Sequence, residues 1–260
     1  MNMLFDSHAH LDDKRFDKDR KEIIEGLISR GVGRVLNAGA DMKSSLAGIE
    51  LAKEYSHIYA AVGVHPHDVK TMEDCHLNEL ENMSKEKKVV AIGEIGLDFY
   101  YDNSPRDVQR ERFIDQIDLA DRVGLPIIVH NRDAHKDTLD ILRDNRHKLH
   151  GGVMHCYSGS AEMLKDFLDI GFYISLGGPV TFKNARKPVE VAKQVPLDKL
   201  LIETDCPYLT PHPFRGKRND PGYVGLVAEK IAKIRDIPLE KIARVTFENA
   251  SKLFRIRPIQ

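Results

Sequence analysis

The stretch P-I-I-V-H-N-R-D-A-H-K-D-T-L-D-I-L-R-D-N-R-H-K-L-H-G-G-V-M-H, Pro126 to His155, decides the fold. It opens on a short apolar, β-branched run, Pro126 to Val129. Asp137 to Asn145 then sets Leu139 and Leu142 three apart, on one face of a helix, and Gly152 to Met154 turns apolar again. Strand, helix and strand within about 30 residues make a βαβ unit, whose two strands lie parallel in one sheet. Each strand runs straight into a histidine, His130 and His155.

Outward from this unit the alternation fills the chain. Strands are expected at Met3 to Asp6, Arg34 to Asn37, Ile58 to Val64, Val89 to Gly93, Phe172 to Leu176 and Leu200 to Thr204. Helices are expected at Asp19 to Ser29, Ser45 to Tyr55, Pro105 to Val123, Ala161 to Leu168, Ala185 to Gln194 and Gly222 to Arg235, with a last one at Leu239 to Leu253. Gly31, Gly124 and Gly171 stand where a helix should stop before a strand, which suits the left-handed closing position. The length, 260 residues, is close to the roughly 250 of a single (β/α)8 TIM barrel. An open doubly wound sheet also alternates, but eight strands with intervening helices favour closure. The expectation is an α/β fold, a (β/α)8 TIM barrel forming one domain over residues 1–260.

Composition narrows the class. Lys and Arg number 39 against 40 Asp and Glu, so a net charge of -1 argues against a protein that coats nucleic acid, while leaving room for a local basic patch. Apolar runs such as Ile58 to Val64 fall far short of the roughly 20 residues of a membrane helix. The N-terminus lacks the basic region and apolar core of a signal peptide, and a cytoplasmic location is expected. Cys75, Cys156 and Cys206 are widely separated, so neither a disulfide framework nor a thiolate zinc site is expected.

Barrel enzymes place their chemistry at the C-terminal ends of the strands. Those ends here carry His8 and His10, His65, Glu94, His130, His155 and Asp205. With 12 histidines, chance alone yields about 0.5 H-x-H pairs, so neither His8/His10 nor His65/His67 marks a site by itself. Convergence on one rim is what carries the argument. His8 and His10 share a strand face and reach one ion together with Glu94 and Asp205, while His130 and His155 with Glu94 make a second set sharing that carboxylate. Nitrogen and oxygen donors without thiolate suit Zn, Mn, Fe, Co or Ni, and Mg more weakly. Cys156 and Cys206 follow His155 and Asp205 directly, so strand alternation aims their thiols away. Glu203 faces the same side as Asp205 one layer deeper, either as a partner orienting the site or as a buried carboxylate neutralised by a cation.

These residues resemble the TatD family of metal-dependent deoxyribonucleases and hydrolases. The resemblance runs nearly end to end, through D-S-H-A-H-L (Asp6 to Leu11), G-V-H-P-H (Gly63 to His67), G-E-I-G-L-D (Gly93 to Asp98) and I-V-H-N-R (Ile128 to Arg132). It continues through M-H-C-Y-S-G (Met154 to Gly159), E-T-D-C-P-Y-L (Glu203 to Leu209), R-G-K-R-N-D-P (Arg215 to Pro221) and Asn249-Ala250. It implies a metal-dependent hydrolase with two divalent ions, Mg, Mn or Zn, held by His8, His10, Glu94, His130, His155 and Asp205. It implies too an activity like that of 3′-to-5′ exonucleases or endonucleases on DNA. Glu94 stands where several barrels of the wider superfamily carry a carbamylated lysine.

The expected chemistry is attack of an activated water on phosphorus, with Asp205 taking its proton. The residues expected to act in it are Asp205, Glu94, His65 and Glu203, His65 either contacting phosphate or assisting the leaving group, or standing inert. Arg132, Arg215, Lys217 and Arg218 are expected to grip phosphates. Phe99, Tyr100 and Tyr101 follow strand 4 and are placed either to stack unpaired bases, Tyr100 foremost, or, for at least one of them, to anchor their own loop. The expected substrate is a DNA single strand or frayed end, read without sequence specificity, and no protein partner is identifiable. Two other readings stay open: hydrolysis of a carbonyl ester or amide, such as an aminoacyl-tRNA ester, and a non-catalytic binding protein with structural metals.

Overall fold

The computed structural model describes residues 3–257, so residues 1–2 and 258–260 of the expected domain lie outside the described residues. Eight strands form one sheet: β1 (Leu4–Ala9), β2 (Val32–Ala38), β3 (Ile58–Val62), β4 (Val89–Asp98), β5 (Ile127–Arg132), β6 (Gly152–Met154), β7 (Tyr173–Leu176) and β8 (Leu200–Ile202). They pair in sequence order, each neighbour parallel. The two ends of the sheet meet. Ala9 bridges Cys206, the His10 amide donates to the Cys206 carbonyl (2.8 Å), and the Asp205 amide donates to the His8 carbonyl (2.9 Å). Deeper in the seam the Asp6 carboxylate accepts the amide (2.8 Å) and hydroxyl (2.5 Å) of Thr204. The sheet is therefore a barrel, and the open alternative fails.

Helices α1 (Arg20–Gly26), α2 (Met42–Glu54), α3 (Asp74–Met83), α4 (Arg106–Val123), α5 (His135–Asp144), α6 (Ala161–Asp169), α7 (Arg186–Gln194) and α8 (Val224–Arg235) follow the strands in turn, and α9 (Leu239–Leu253) ends the chain. Capping sets their ends. Asp41 accepts the Ser44 amide and Ser44 returns the bond to start α2, while Gly124 closes α4 at φ 70°. Helix α3 lies where the sequence pattern drew no range. Leu80 is its one fully buried residue, with Leu77 and Met83 partly buried beside it, so its apolar face is a short stripe in a largely polar segment. Among the described residues no helix is long and apolar enough to cross a membrane.

The core has two shells. The outer one packs strand residues such as Val35, Ile92 and Val129 against helix residues such as Ile24, Ile49, Phe113 and Phe167. The inner one takes Phe5, Leu36, Ala61, Ala91, Ile128, Val153, Tyr173 and Leu201, one residue or more from every strand, together with Leu253, Phe254 and Ile256. The ring of Phe5 lies 5.9 Å from Phe247 and 6.1 Å from Phe254, so α9 and the residues after it seal the N-terminal end of the barrel. Only the opposite end is left open for polar groups.

Strands β1 and β4 run on to Ala9 and Asp98, past the Asp6 and Gly93 expected from the sequence. Each also slips in register, between Asp6 and Ala9 and between Ile92 and Ile95. Phe5 and Ser7 point inward, Ser7 reaching Ser175 across the barrel at 3.2 Å, and the slip then turns the even-numbered His8 and His10 to the interior. Bulges of this kind re-aim a side chain without breaking the sheet. Strands β5 and β6 need no such device, since Ile128 to His130 and Val153 to His155 keep plain alternation, while past the end of β8 Asp205 adopts a left-handed backbone at φ 54°.

The irregular course of β4 depends on Gly96, which adopts φ 139° opposite His130; a Cβ there would lie 2.0 Å from the His130 carbonyl oxygen. Gly96→Ala is expected to cost roughly 2–4 kcal/mol. Urea denaturation checks this through a lower midpoint at unchanged slope, and an unmoved midpoint would contradict it.

Candidate metal centre

The open end of the barrel holds a cleft of about 540 Å³ lined by His10, His65, Glu94, Asp98, His130, His155 and Asp205 among others. Glu94 is at its middle, 3% exposed, and its two oxygens face different clusters. Oε2 lies 3.2 Å from His8 Nε2 and 3.5 Å from His10 Nε2, and Asp205 Oδ1 stands 3.4 Å from His10 Nε2. Oε1 lies 2.8 Å from both His130 Nδ1 and His155 Nε2. The same oxygen is 3.5 Å from His65 Nε2, which brings His65 into the donor set with Glu94 and His130.

Three imidazoles are oriented from behind. His10 Nδ1 faces the Ala38 carbonyl (3.0 Å), His155 Nδ1 faces Glu203 Oε1 (3.2 Å), and His130 Nε2 faces Asp98 Oδ2 (3.0 Å). A proton held on each rear nitrogen leaves the front nitrogen with its lone pair toward the cleft, the state in which histidine binds a cation. Glu203 is wholly buried, accepts the Cys156 amide (2.7 Å) and does not line the cleft, so its contact with the cleft passes through His155.

The residues fit a divalent cation. The Nε2 atoms of His8 and His10 face one another at 3.2 Å, and buried His8 Nδ1 has no hydrogen-bond partner among the described residues. A cation satisfies two converging lone pairs and a shared carboxylate together. The donors are nitrogen and oxygen, and both nearby thiols, Cys156 and Cys206, are held protonated by burial.

Burial works against charge throughout, and the neighbours decide which groups keep it. It would raise Glu94, yet His155, His65 and His8 hold that carboxylate well below its ordinary range. It would lower His10, yet Asp205 and Glu94 push it up to about 9. His65 is pushed down to about 4 by burial and by His130 beside it. Asp98 stays ionised against burial through its bonds with His130 and His67.

Asp98 and His67 belong to the centre, and strand-end reading missed both. Asp98 Oδ2 also meets His67 Nε2 (2.9 Å), while its Oδ1 accepts the amides of Tyr100 and Tyr101. The available signal was the even spacing from Glu94 to Asp98, hidden by ending β4 at Gly93. Of the expected phosphate grips, Arg132 alone lines the cleft; its guanidinium stacks 4.2 Å over Tyr100 and 4.7 Å over Tyr101. Arg218 is instead tied to Asp19 in a two-pronged ion pair (2.8 and 2.5 Å). Arg215 packs on Phe182 and Lys217 lies 5.7 Å from the Phe214 ring, both outside the cleft lining. Tyr101 and Tyr208 line the cleft, whereas Tyr100 stands outside it, exposed beneath Arg132.

Comparison with known proteins agrees with this geometry. The family described as TatD related DNase matches residues 5–255. The chain is 52% identical to the uncharacterized metal-dependent hydrolase YabD of Bacillus subtilis, over 98% of this chain and all of that one. It is 34% identical to the 3′-5′ ssDNA/RNA exonuclease TatD of Escherichia fergusonii, over 97% of this chain and 99% of the relative. The crystal structure of the TatD homologue YJJV from Escherichia coli superposes with a TM-score of 0.92 at 31% identity, covering 98% of each chain.

Two outcomes are expected of the centre. Asp98→Asn, which removes the charge behind His130, weakens divalent-cation binding by about 10- to 100-fold in calorimetric titration; an unchanged affinity would show that Asp98 orients nothing. In protein stripped by chelator, His10 contributes stability fully below pH 6.5, and that contribution is lost as pH rises to about 9. His65 acts oppositely, its contribution present above pH 6.5 and lost as pH falls toward about 4. Stability of the stripped protein should therefore peak near neutral pH and fall on both sides, and a flat profile in denaturant titrations would contradict these assignments.

Proposed function

The chain belongs to the TatD family of metal-dependent hydrolases, and from that membership we propose a divalent-metal-dependent deoxyribonuclease that removes nucleotides 3′ to 5′ from single-stranded or end-frayed DNA. The observation that carries the reading is Glu94, set between two imidazole clusters at the floor of an open cleft that has Arg132 in its wall. A shared carboxylate between two donor sets suits a pair of divalent cations, Mg, Mn or Zn. His8, His10 and Asp205 would hold one, His130 and His155 the other with His65 beside them, and Glu94 would serve both. When bound, such cations supply Lewis acidity, easing the ionisation of water and offsetting charge on phosphate oxygens.

The protein's own groups do the rest. Asp205, 3.4 Å from His10 Nε2 and at the cleft wall, accepts the proton of the attacking water. Arg132 has no ion pair among the described residues, so its paired donors are free for a phosphate. Tyr101 and Tyr208, 53% and 47% exposed, line the cleft with a guanidinium over each ring, Arg132 at 4.7 Å and Arg15 at 4.1 Å, so an unpaired base would stack on the ring face left open. Glu203 and Asp98 act by position, through His155 and His130. A relative's name as a single-strand DNA and RNA exonuclease supports the same substrate class.

End-labelled single-stranded DNA should be shortened stepwise from its 3′ end by protein supplied with Mg²⁺ or Mn²⁺, and not by protein stripped of metal. Asp205→Asn should lose about 10²- to 10⁴-fold in rate while staying folded. Failure of folded, metal-loaded wild type to cut any phosphodiester would overturn the assignment in favour of a carbonyl ester or amide, which the same centre can attack.

A further inference from the structure

A second groove of about 690 Å³ lies between the β7–α7 connection with α7 on one side and α8 on the other. Lys183, Arg186, Lys193 and Lys230 line it, with Glu190 as the sole acidic lining residue among those described. Lys193 is neutralised by that glutamate at 3.3 Å, while Lys183, Arg186 and Lys230 have no ion pair among the described residues. Three unpaired positive charges in one groove stand out on a chain whose net charge is -1. Cations elsewhere on the surface are in part paired, as in Arg218 with Asp19, Arg106 with Asp102 and Arg143 with Asp166, so the groove is distinguished by three unpaired cations sharing one concave lining.

The groove and the cleft share a wall. Leu209 lines the cleft and His212, three residues on, lines the groove, a span of at most about 11 Å of extended chain. This wall is held firmly. The His212 amide donates to Thr181 Oγ1 (2.8 Å), and Gly178 packs so closely that a Cβ would stand 1.9 Å from the Leu209 carbonyl oxygen. Its crest is Tyr208 and Leu209, exposed by 47% and 39%. Tyr208, with Arg15 over its ring at 4.1 Å, and Leu209 stand part-exposed between the cleft that has Arg132 in its wall and the cationic groove, an order that suits a chain of alternating bases and phosphates.

We infer that the groove carries the phosphodiester backbone of the strand being cut, a few nucleotides from the phosphate held at Glu94. The strand crosses the crest at Tyr208 and Leu209, then lays its phosphates against Lys183, Arg186 and Lys230. Substrate length is thereby sensed outside the catalytic cleft. The inference rests on the nuclease reading, but binding and cleavage can be measured apart.

The test compares wild type with Lys183→Ala/Arg186→Ala/Lys230→Ala. Binding of a fluorescent single-stranded oligonucleotide of roughly 20 residues is followed by anisotropy across a salt series. Turnover of bis(p-nitrophenyl) phosphate, which reaches only the cleft, is measured in parallel. The triple variant should bind the long strand at least tenfold more weakly, and its log–log salt slope should fall by about 2, since each contact with a single strand contributes roughly 0.7. The small diester should be turned over as by wild type. Unchanged long-strand affinity and slope would overturn the inference, as would a fold-loss in diester turnover equal to the fold-loss in oligonucleotide affinity. If wild type cut neither the small diester nor end-labelled single-stranded DNA in the cleavage assay above, the nuclease reading would fall, and the salt series would still decide the groove.

Discussion

A buried carboxylate surrounded by imidazoles is the constraint on which the rest of this structure depends. Glu94 is 3% exposed and ionised, and removing an isolated carboxylate from water costs far more than a domain's net stability. It persists because five histidines from four strands or strand ends, together with any cation they hold, counter its charge. Those imidazoles must in turn present the correct nitrogen, and Ala38, Glu203 and Asp98 stand behind three of them for that purpose. The barrel supplies this because each of its strands is fixed at both edges by a neighbour, leaving no free strand to shift.

The fold also separates stability from chemistry. Residues from α9 onward seal one end with Leu253, Phe254 and Ile256, so the apolar floor beneath the centre is continuous with the barrel interior. Polar groups concentrate at the other end, where the loops are free to differ. Among the described residues the cleft lining holds one arginine without an ion pair, Arg132, and the neighbouring groove three more unpaired cations, which on the proposed nuclease reading would meet an extended polyanion. Near-zero net charge is compatible with this, because a local field and not the total attracts one strand.

What the sequence made legible follows from how local each determinant is. Strand β6 at Gly152–Met154 and helix α9 at Leu239–Leu253 fall where the apolar pattern put them. The convergence of His130 and His155 needed only the strand ends and the barrel rule, whereas His8, His10 and Glu94, although named from the same ends, are aimed inward by irregular pairing of β1 and β4. The register slips in β1 and β4 were not legible, because they depend on pairing with neighbouring strands, and with them went Asp98 and its hold on His130. Long basic side chains were read least well. Arg218 has found Asp19, some 200 residues away in sequence, and Arg215 has settled on Phe182, while Lys183, Arg186 and Lys230 come together only when α7 and α8 pack. Spacing along a chain says where a strand-end ligand points, but little about where a flexible cation comes to rest.

The central claim is that Glu94 is shared between two cations. Anomalous diffraction from crystals grown with Mn²⁺ tests it most directly. The account predicts two anomalous peaks, one against each Glu94 oxygen, with His8, His10 and Asp205 around one and His130 and His155 around the other. A centre without bound metal, or a single peak away from Glu94, would contradict it.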